Sequence, residues 1–316
     1  MNECKLSIII PAYNTASYLE RTLNVLVNIN MSNYEIIIIN DNSNDGTEDI
    51  VYQFINKYSN IKYYKNQINH GVGVSRNIGF EKSSGEYITF LDSDDWPDLI
   101  AYKTAVDAFE NNNDCDCIIW GIKNEYDNKI SSYTRVGYND YHCINKELAL
   151  SLLCNTYTLD VTISSYLGNK MYRRVLIEKN RISFDKALFE DVTFTFKTIL
   201  YTKKIILLPN IYTHYYQRPR SIVHSFTKKH ISDMFNELSC IQNIVNKNYP
   251  IYKKDFYSLV EKCSKTLFKI MYDNIESPTE QKQLLCYYFE NLFKYFSINE
   301  ILDYLDTGRI KKVLLN

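Results

Sequence analysis

Tyr87-Ile88-Thr89-Phe90-Leu91-Asp92-Ser93-Asp94-Asp95 is an apolar run that stops abruptly in a cluster of carboxylates. A short, continuous apolar segment rich in β-branched and aromatic residues predicts a strand buried on both faces. The acids then leave the strand at its C-terminal end. Two carboxylates two positions apart suit a hard divalent cation, which takes oxygen ligands and readily bridges phosphates. Such an ion neutralises charge on a departing diphosphate. The same residues also fit a helix beginning near Pro97, with Asp94 or Asp95 as its cap. An Asp95 cap and an Asp94 ligand are compatible, so both readings stand at this point.

Towards the N-terminus the pattern alternates. Residues 6–10, 35–39 and 61–64 read as further strands, and residues 17–30, 47–58 and 72–82 as the helices between them. Leu19, Leu23, Leu26 and Val27 make the first helix amphipathic. Alternating strand and helix with short connections predicts a doubly wound α/β sheet, whose ligands bind beyond the carboxyl ends of the strands. Polar clusters sit at three of those ends: Pro11 to Asn14, Asn40 to Asn44, and Asp92 to Asp95.

Towards the C-terminus, residues 98–110 read as a helix and residues 115–121 as a strand. Residues 123–143 read as irregular or hairpin structure. Helices are expected over residues 168–180 and 189–201, and two strands over 205–208 and 211–216. Beyond Phe226 the texture becomes purely amphipathic-helical, through Met234, Leu238, Ile241 and Val245, then Leu267, Phe268 and Met271, then Leu285, Tyr288, Leu292 and Phe296. The expected organisation is an α/β domain over residues 1–226 and a helical appendage over residues 227–316.

The 316 residues carry a net charge of -1, which disfavours nucleic acid as a main partner. The eight cysteines show no bridging or zinc-like spacing; Cys115-Asp116-Cys117 opens an apolar run that fits a strand. The polar opening residues and the lack of any apolar run near ~20 residues predict a protein of the reducing cytoplasm, at most peripheral at the inner face of a membrane.

Other residues carry weaker signals. Asp41, in a loop of Asn, Ser and Gly, can accept from a pyrimidine N–H, or can simply fold an Asx-turn. Gly71, Gly73 and Gly79 match neither a dinucleotide fingerprint nor a P-loop, while Arg76 between them can reach a nucleotide. Glu190-Asp191 opens a helix, where acids are favoured by the dipole and where Asp191 could also serve as a general base. His214, Arg218 and Arg220 can meet diphosphate oxygens or lie in solvent.

In order along the chain, Leu6-Ser7-Ile8-Ile9-Ile10-Pro11-Ala12-Tyr13-Asn14, Asp41-Asn42-Ser43-Asn44-Asp45-Gly46-Thr47, Ser75-Arg76-Asn77-Ile78-Gly79, Phe90-Leu91-Asp92-Ser93-Asp94-Asp95, Gly168-Asn169-Lys170 and Phe189-Glu190-Asp191 resemble the family-2 glycosyltransferases of the GT-A fold. The resemblance covers roughly residues 5–223. It implies a GT-A-type mixed sheet flanked by helices, with a nucleotide pocket of Pro11, Ala12, Tyr13, Asn14, Asp41, Arg76, Asp92 and Ser93. It implies Asp94 as ligand of Mn2+ or Mg2+, with Asp92 in the metal set but nearer the ribose, and Asp191 as base of an inverting transfer. Lys170, Glu190, His214 and Arg218 are then donor or acceptor contacts. The implied partners are a nucleotide-sugar donor, UDP-linked if Asp41 meets a uracil edge, and a glycan or lipid-linked glycan acceptor. A cell-surface polysaccharide or glycan is the expected product. Asn40 stands where many relatives carry an acid, and no Gln-x-x-Arg-Trp motif of processive synthases occurs, which predicts transfer of one sugar. The helical appendage is expected to complete the acceptor pocket, to make a homodimer, or to rest on a membrane. Two alternatives are a sugar nucleotidyltransferase, which would want a Gly-rich loop after the first strand, and a sugar-nucleotide binder without transferase activity.

Overall fold

The computed structural model describes residues 4–127, 131–134, 141–156, 161–218 and 226–304. The N-terminal half alternates as the apolar periodicity predicts: β1 (Leu6–Ala12), α1 (Ala16–Leu26), β2 (Tyr34–Asn40), α2 (Thr47–Ile55), β3 (Ile61–Lys65), α3 (Val72–Lys82) and β4 (Tyr87–Phe90). After the acid cluster come β5 (Trp96–Pro97), α4 (Ala101–Glu110), β6 (Cys117–Glu125), β7 (Ser132–Thr134), β8 (His142–Ile144) and α5 (Lys146–Cys154). Then follow β9 (Lys170–Arg173), α6 (Arg174–Lys179), α7 (Glu190–Tyr201) and β10 (Ile205–Tyr216). The chain continues in helices: α8 (Lys228–Asn248), α9 (Lys253–Asn274), α10 (Pro278–Tyr295) and α11 (Ile298–Tyr304).

Among the described residues the strands form one mixed sheet in the order β3-β2-β1-β4-β9-β6-β10-β5, with β7 added beside β6 and β8 beside β10. β1 is parallel to β2 and β4, and β2 to β3. β9 enters antiparallel between β4 and β6. The sheet separates two apolar layers by strand alternation. Ile8, Ile10, Ile36 and Ile38 face α1, α2 and α4, while Ile9, Ile37, Ile39 and Phe90 face α3, α5, α7 and the C-terminal helices. A side chain at Gly79 would place its Cβ 2.3 Å from Ile9 Cγ2, so only glycine lets α3 lie this close to the sheet. The second layer runs without interruption from Phe90 and Phe194 through Phe226 to Met234, Leu267 and Leu292.

Three expectations change. The helix expected over residues 168–180 is β9 followed by α6, because Met171 and Tyr172 are fully buried between strands whose pairing outweighs local propensity. The two strands expected over residues 205–216 are a single strand, β10, whose register slips between Leu207 and Ile211, across Pro209, a residue with no N–H for the ladder. The helix expected from residue 98 begins at Ala101; Trp96 and Pro97 instead pair with His214 and Thr213. Asp94 and Asp95 therefore cap no helix. Residues 128–130 and 135–140 of the expected irregular segment, and Arg220, lie outside the described residues. All eight cysteines are free thiols. Among the described residues no helix is long and apolar enough to cross a membrane.

Candidate functional site

The loops after β1 and β2 are laced together. The Asn14 N–H donates to Ser43 Oγ at 3.0 Å, the Asn44 N–H to Asn14 Oδ1 at 2.9 Å, and the Thr15 N–H to Thr47 Oγ1 at 3.0 Å. Asn14 and Asn42 adopt positive φ of 51° and 65°, which asparagine tolerates better than most residues. Pro11 and Ala12 stay buried in β1, and the turn leaves Tyr13 with 48% of its surface exposed at the rim. Asp41 faces inward. Its Oδ1 accepts from Asn66 Nδ2 at 2.7 Å and from the His70 N–H at 2.9 Å, and its Oδ2 from the Gly71 N–H at 2.7 Å. A carboxylate offers about four acceptor positions, so this one chiefly shapes the turn that launches α3, where Gly71 takes a φ of 93°.

The acid loop after β4 is fastened by its backbone to α1. Thr22 Oγ1 donates to the Ser93 and Asp95 carbonyls, and Arg21 Nη2 donates to the Asp94 carbonyl at 2.8 Å. The Arg21 guanidinium lies 3.9 Å from the centroid of Trp96 and 4.6 Å from that of Tyr216. Asp95 is fully buried, accepting from the Tyr166 hydroxyl and, at 2.8 Å, from the Tyr216 N–H. Asp94 Oδ2 lies 3.2 Å from Arg218 Nε. Burial and then the Asp92 charge push the Asp94 carboxyl up to about 6, against the pull of Arg218. Burial and the charges of Asp94 and Asp92 raise Asp95 further.

This crowding of carboxylates suits a divalent cation. Among the described residues no three His, Cys, Asp or Glu side chains converge to enclose a metal by themselves. An ion of the magnesium type needs only one or two carboxylates, with water and substrate phosphates completing its shell. Carboxylate donors are also those that magnesium and manganese prefer. The residues therefore fit such an ion.

Arg76, on α3 and only 5% exposed, joins this loop to the start of α7. Its Nη2 donates to Asp92 Oδ1 at 2.7 Å, and its Nη1 donates to Glu190 Oε1. Both partners help hold the guanidinium charged inside the protein. A Cβ on Gly73 would come within 2.4 Å of the Asp185 carbonyl and 3.1 Å of Glu190 Cγ, so that glycine admits Glu190 to its place. Next to it, Asp191 Oδ2 accepts from Ser165 Oγ at 2.6 Å. Burial, and then the charges of Asp95, Asp92, Asp94 and Asp191, raise the Tyr215 phenol, whose ring packs against Tyr166 with centroids 4.7 Å apart.

Residues 7–180 match the profile of a family described as Glycosyl transferase family 2. That span is more than half of the chain. The chain belongs to glycosyl transferase family 2. A cholesterol galactosyltransferase of Borreliella burgdorferi is 29% identical over 264 residues, 81% of this chain and 73% of that protein. The Staphylococcus aureus poly(ribitol-phosphate) β-N-acetylglucosaminyltransferase TarS is 29% identical over 226 residues, 70% of this chain but 36% of that protein. The crystal structure of TarS residues 1–349 with UDP-GlcNAc superposes with a TM-score of 0.73 at 21% identity, covering 92% of this chain and 82% of that one. A mannosyltransferase of Pyrobaculum calidifontis, in complex with GDP-Man and Mn2+, aligns with a TM-score of 0.56 at 13% identity, covering 92% and 88% of the two chains. The mixed sheet with flanking helices is thus the GT-A fold.

Within this family-2 site the remaining candidates divide. Lys170 is 1% exposed, donating to the Tyr166 carbonyl and to Asn169 Oδ1; burial depresses its ammonium to about 7, against the pull of charges that include Asp191. His214 is not free for phosphate, since Nδ1 pairs with Glu125 Oε1 at 2.7 Å and Nε2 with Asp98 Oδ1 at 3.0 Å, with the ring stacked on Trp96. Sequence reasoning missed Arg21, Thr22, Ser165, Tyr166 and Tyr215. No local pattern marks them, and with 28 tyrosines in the chain a single one carries no signal.

Glu237, on α8, is 1% exposed, and its Oε2 has no hydrogen-bond partner among the described residues. Burial raises its carboxyl to about 7. Raising a carboxyl above its unfolded value removes stability as pH climbs from about 4.5 to 7. Glu237→Gln is therefore expected to gain up to about 3 kcal/mol at pH 8 relative to its effect at pH 4.5, at 1.36 kcal/mol per pKa unit. Urea unfolding of both proteins at the two pH values measures this; equal differences at both would refute it.

Proposed function

We propose that this protein transfers one sugar from a nucleotide-diphosphate donor, UDP-linked, to an acceptor hydroxyl with inversion, in the assembly of a cell-surface glycan. One observation carries the reading. Asp191 has one carboxylate oxygen oriented by Ser165, next in sequence to Glu190, whose buried contact with Arg76 is joined to the half-buried Asp92 after β4. The TarS complex with UDP-GlcNAc supports a UDP donor. The family relatives support a surface-glycan setting.

In this reading Tyr13 stacks on the base at the rim, Asp41 holds the turn beneath it, and Asp92 and Ser93 line the ribose. Asp94 and Asp92 would hold the divalent cation, whose chemistry would be to neutralise charge on the leaving diphosphate. Arg218, beside Asp94, is placed to meet the same phosphates. Asp191 accepts the proton of the acceptor hydroxyl as that oxygen attacks the anomeric carbon opposite the diphosphate. Ser165 keeps Asp191 Oδ2 engaged, and among the described residues Oδ1 is the oxygen that would take the acceptor's proton. Burial of Glu190 and Arg76 excludes water from the floor of the site and fixes the acid pair to the nucleotide side.

A thermal-shift series with UDP-sugars, GDP-mannose and the free nucleotides, with and without Mn2+, tests the donor class. One UDP-sugar should raise the melting temperature, and more so with Mn2+, as mass action requires. Asp94→Ala should erase the Mn2+-dependent part and leave a weaker metal-free shift. Stabilisation of that variant by Mn2+ to the wild-type extent would remove Asp94 from the metal site.

A further inference from the structure

Phe189, immediately before Glu190-Asp191, adopts φ 64° and ψ 25°, a left-handed conformation that a large aromatic residue rarely takes. Such a residue persists only where its surroundings over-determine it. Here they come from α8, in the helical region that the resemblance did not explain. The Leu188 N–H donates to Asp233 Oδ2 at 2.9 Å, across 45 positions of sequence. Asp233 is only 7% exposed, and Lys229 one turn earlier donates to the same oxygen. The Phe189 ring meets the His230 ring edge-on, with centroids 6.1 Å apart. His230 is itself stacked by Phe226 and built into the capping box of α8 with Thr227. One turn into α7, Thr193 Oγ1 donates to the Glu237 carbonyl at 3.2 Å.

We infer that α8 is the abutment of the catalytic loop, with Asp233 the positioning residue that sets the left-handed turn at Phe189 and so aims Asp191 at the acceptor. This rests on the reading of Asp191 as the base. The geometry gives the reason. A left-handed residue reverses the chain within one position, so the direction of α7's first turn depends on holding Leu188 and Phe189 against something rigid. The Leu188 amide, lying before the helix, has no intrahelical acceptor. A buried carboxylate supplies a charge-assisted bond to it, and the Phe189 ring packs edge-on against His230. The Asp191 side chain itself is engaged by Ser165 Oγ. Asp233 touches no reacting atom; it acts through the backbone.

The test uses the full chain with Asp233→Ala and Asp233→Asn. Asparagine retains an acceptor oxygen for the Leu188 amide, whereas alanine does not. Hydrogen exchange followed by mass spectrometry should show faster exchange in peptides spanning residues 186–192 for Asp233→Ala, with peptides spanning the Asp92–Asp95 loop unchanged and Asp233→Asn close to wild type. Slow hydrolysis of UDP-GlcNAc, UDP-galactose or UDP-glucose with Mn2+, in which water replaces the acceptor hydroxyl, should fall about ten- to a hundredfold in Asp233→Ala, with UDP affinity unchanged. Asp233→Asn should restore most of that rate. Phe189→Gly added to Asp233→Ala should recover part of it, because glycine adopts the left-handed conformation freely. Unchanged exchange at residues 186–192 in Asp233→Ala overturns the inference. So does faster exchange there with an unchanged hydrolysis rate. If wild-type protein releases no UDP from any of these donors, the proposed transfer reaction is what fails, and exchange alone decides the role of Asp233.

Discussion

Asp191→Asn is expected to slow transfer by about 10²- to 10⁴-fold, the usual contribution of a positioned general base, with donor affinity unchanged. The substitution preserves shape and leaves an amide that can still accept from Ser165 Oγ, which donates to Asp191 at 2.6 Å in the wild type. It removes only the ability to take the acceptor's proton. The charges of the Asp92–Asp95 loop and the Asp92–Arg76 contact remain, so the nucleotide side keeps its binding apparatus. The measurement is UDP release with a saturating acceptor, beside calorimetric titration with UDP. A rate within threefold of wild type would strip Asp191 of its role. Loss of rate and donor affinity together would place it on the donor side instead.

Arg76→Met is expected to cost about 3–5 kcal/mol of stability, the range for breaking a buried pair by removing one partner. Arg76 is 5% exposed and joins Asp92 to Glu190, itself 6% exposed. Without the guanidinium, Glu190 would face the Asp191 charge in a buried site, where burial already raises its carboxyl despite the Arg76 contact. Protonation then relieves the repulsion, so the loss should shrink at pH 5 and grow towards pH 8. Arg76→Lys should not restore stability, since one ammonium cannot reproduce a fork that reaches two carboxylates in different directions. Urea midpoints at both pH values, with Arg76→Met/Glu190→Gln as a partial rescue, measure this. A pH-independent loss would show that packing against Phe184, 5.4 Å from the guanidinium, is the larger effect.

The two predictions show where the sequence is informative. The alternation from Leu6 to Leu91 made the doubly wound sheet and its polar mouths legible, because fully buried strands must be continuously apolar and helices must repeat every three to four residues. Asp92 and Asp94 were legible for a related reason. Acids placed directly at a strand end stand out against the apolar pattern before them, whereas Glu190 and Asp191, ordinary in a helix's first turn, were singled out by the family resemblance. Arg76 was visible as a charge on the helix that follows the glycine-bearing loop, but its partners were not.

Misreadings fell where long-range packing overrides local preference. Residues 168–180 carry helix-like spacing, yet β9 forms because the gap between β4 and β6 must be filled by a strand. Asp95 resembled a helix cap, whereas the Tyr166 hydroxyl and the Tyr216 N–H, 71 and 121 positions away, take up its oxygens. Asp41 and His214 carry structural partners that no local pattern announced: Asn66 and the His70 and Gly71 amides for Asp41, and Glu125 and Asp98 for His214.

By itself the sequence determined the sheet, the loops that form its mouth and the acids that stand there, since those depend on periodicity and on residue type at chain positions a few residues apart. Only the tertiary structure decided which groups answer those acids: Arg76 for Asp92 and Glu190, Ser165 for Asp191, and α8 for the turn that precedes Glu190 and Asp191. A buried charge or amide must find a partner wherever the fold brings one, and that partner can lie anywhere along the chain.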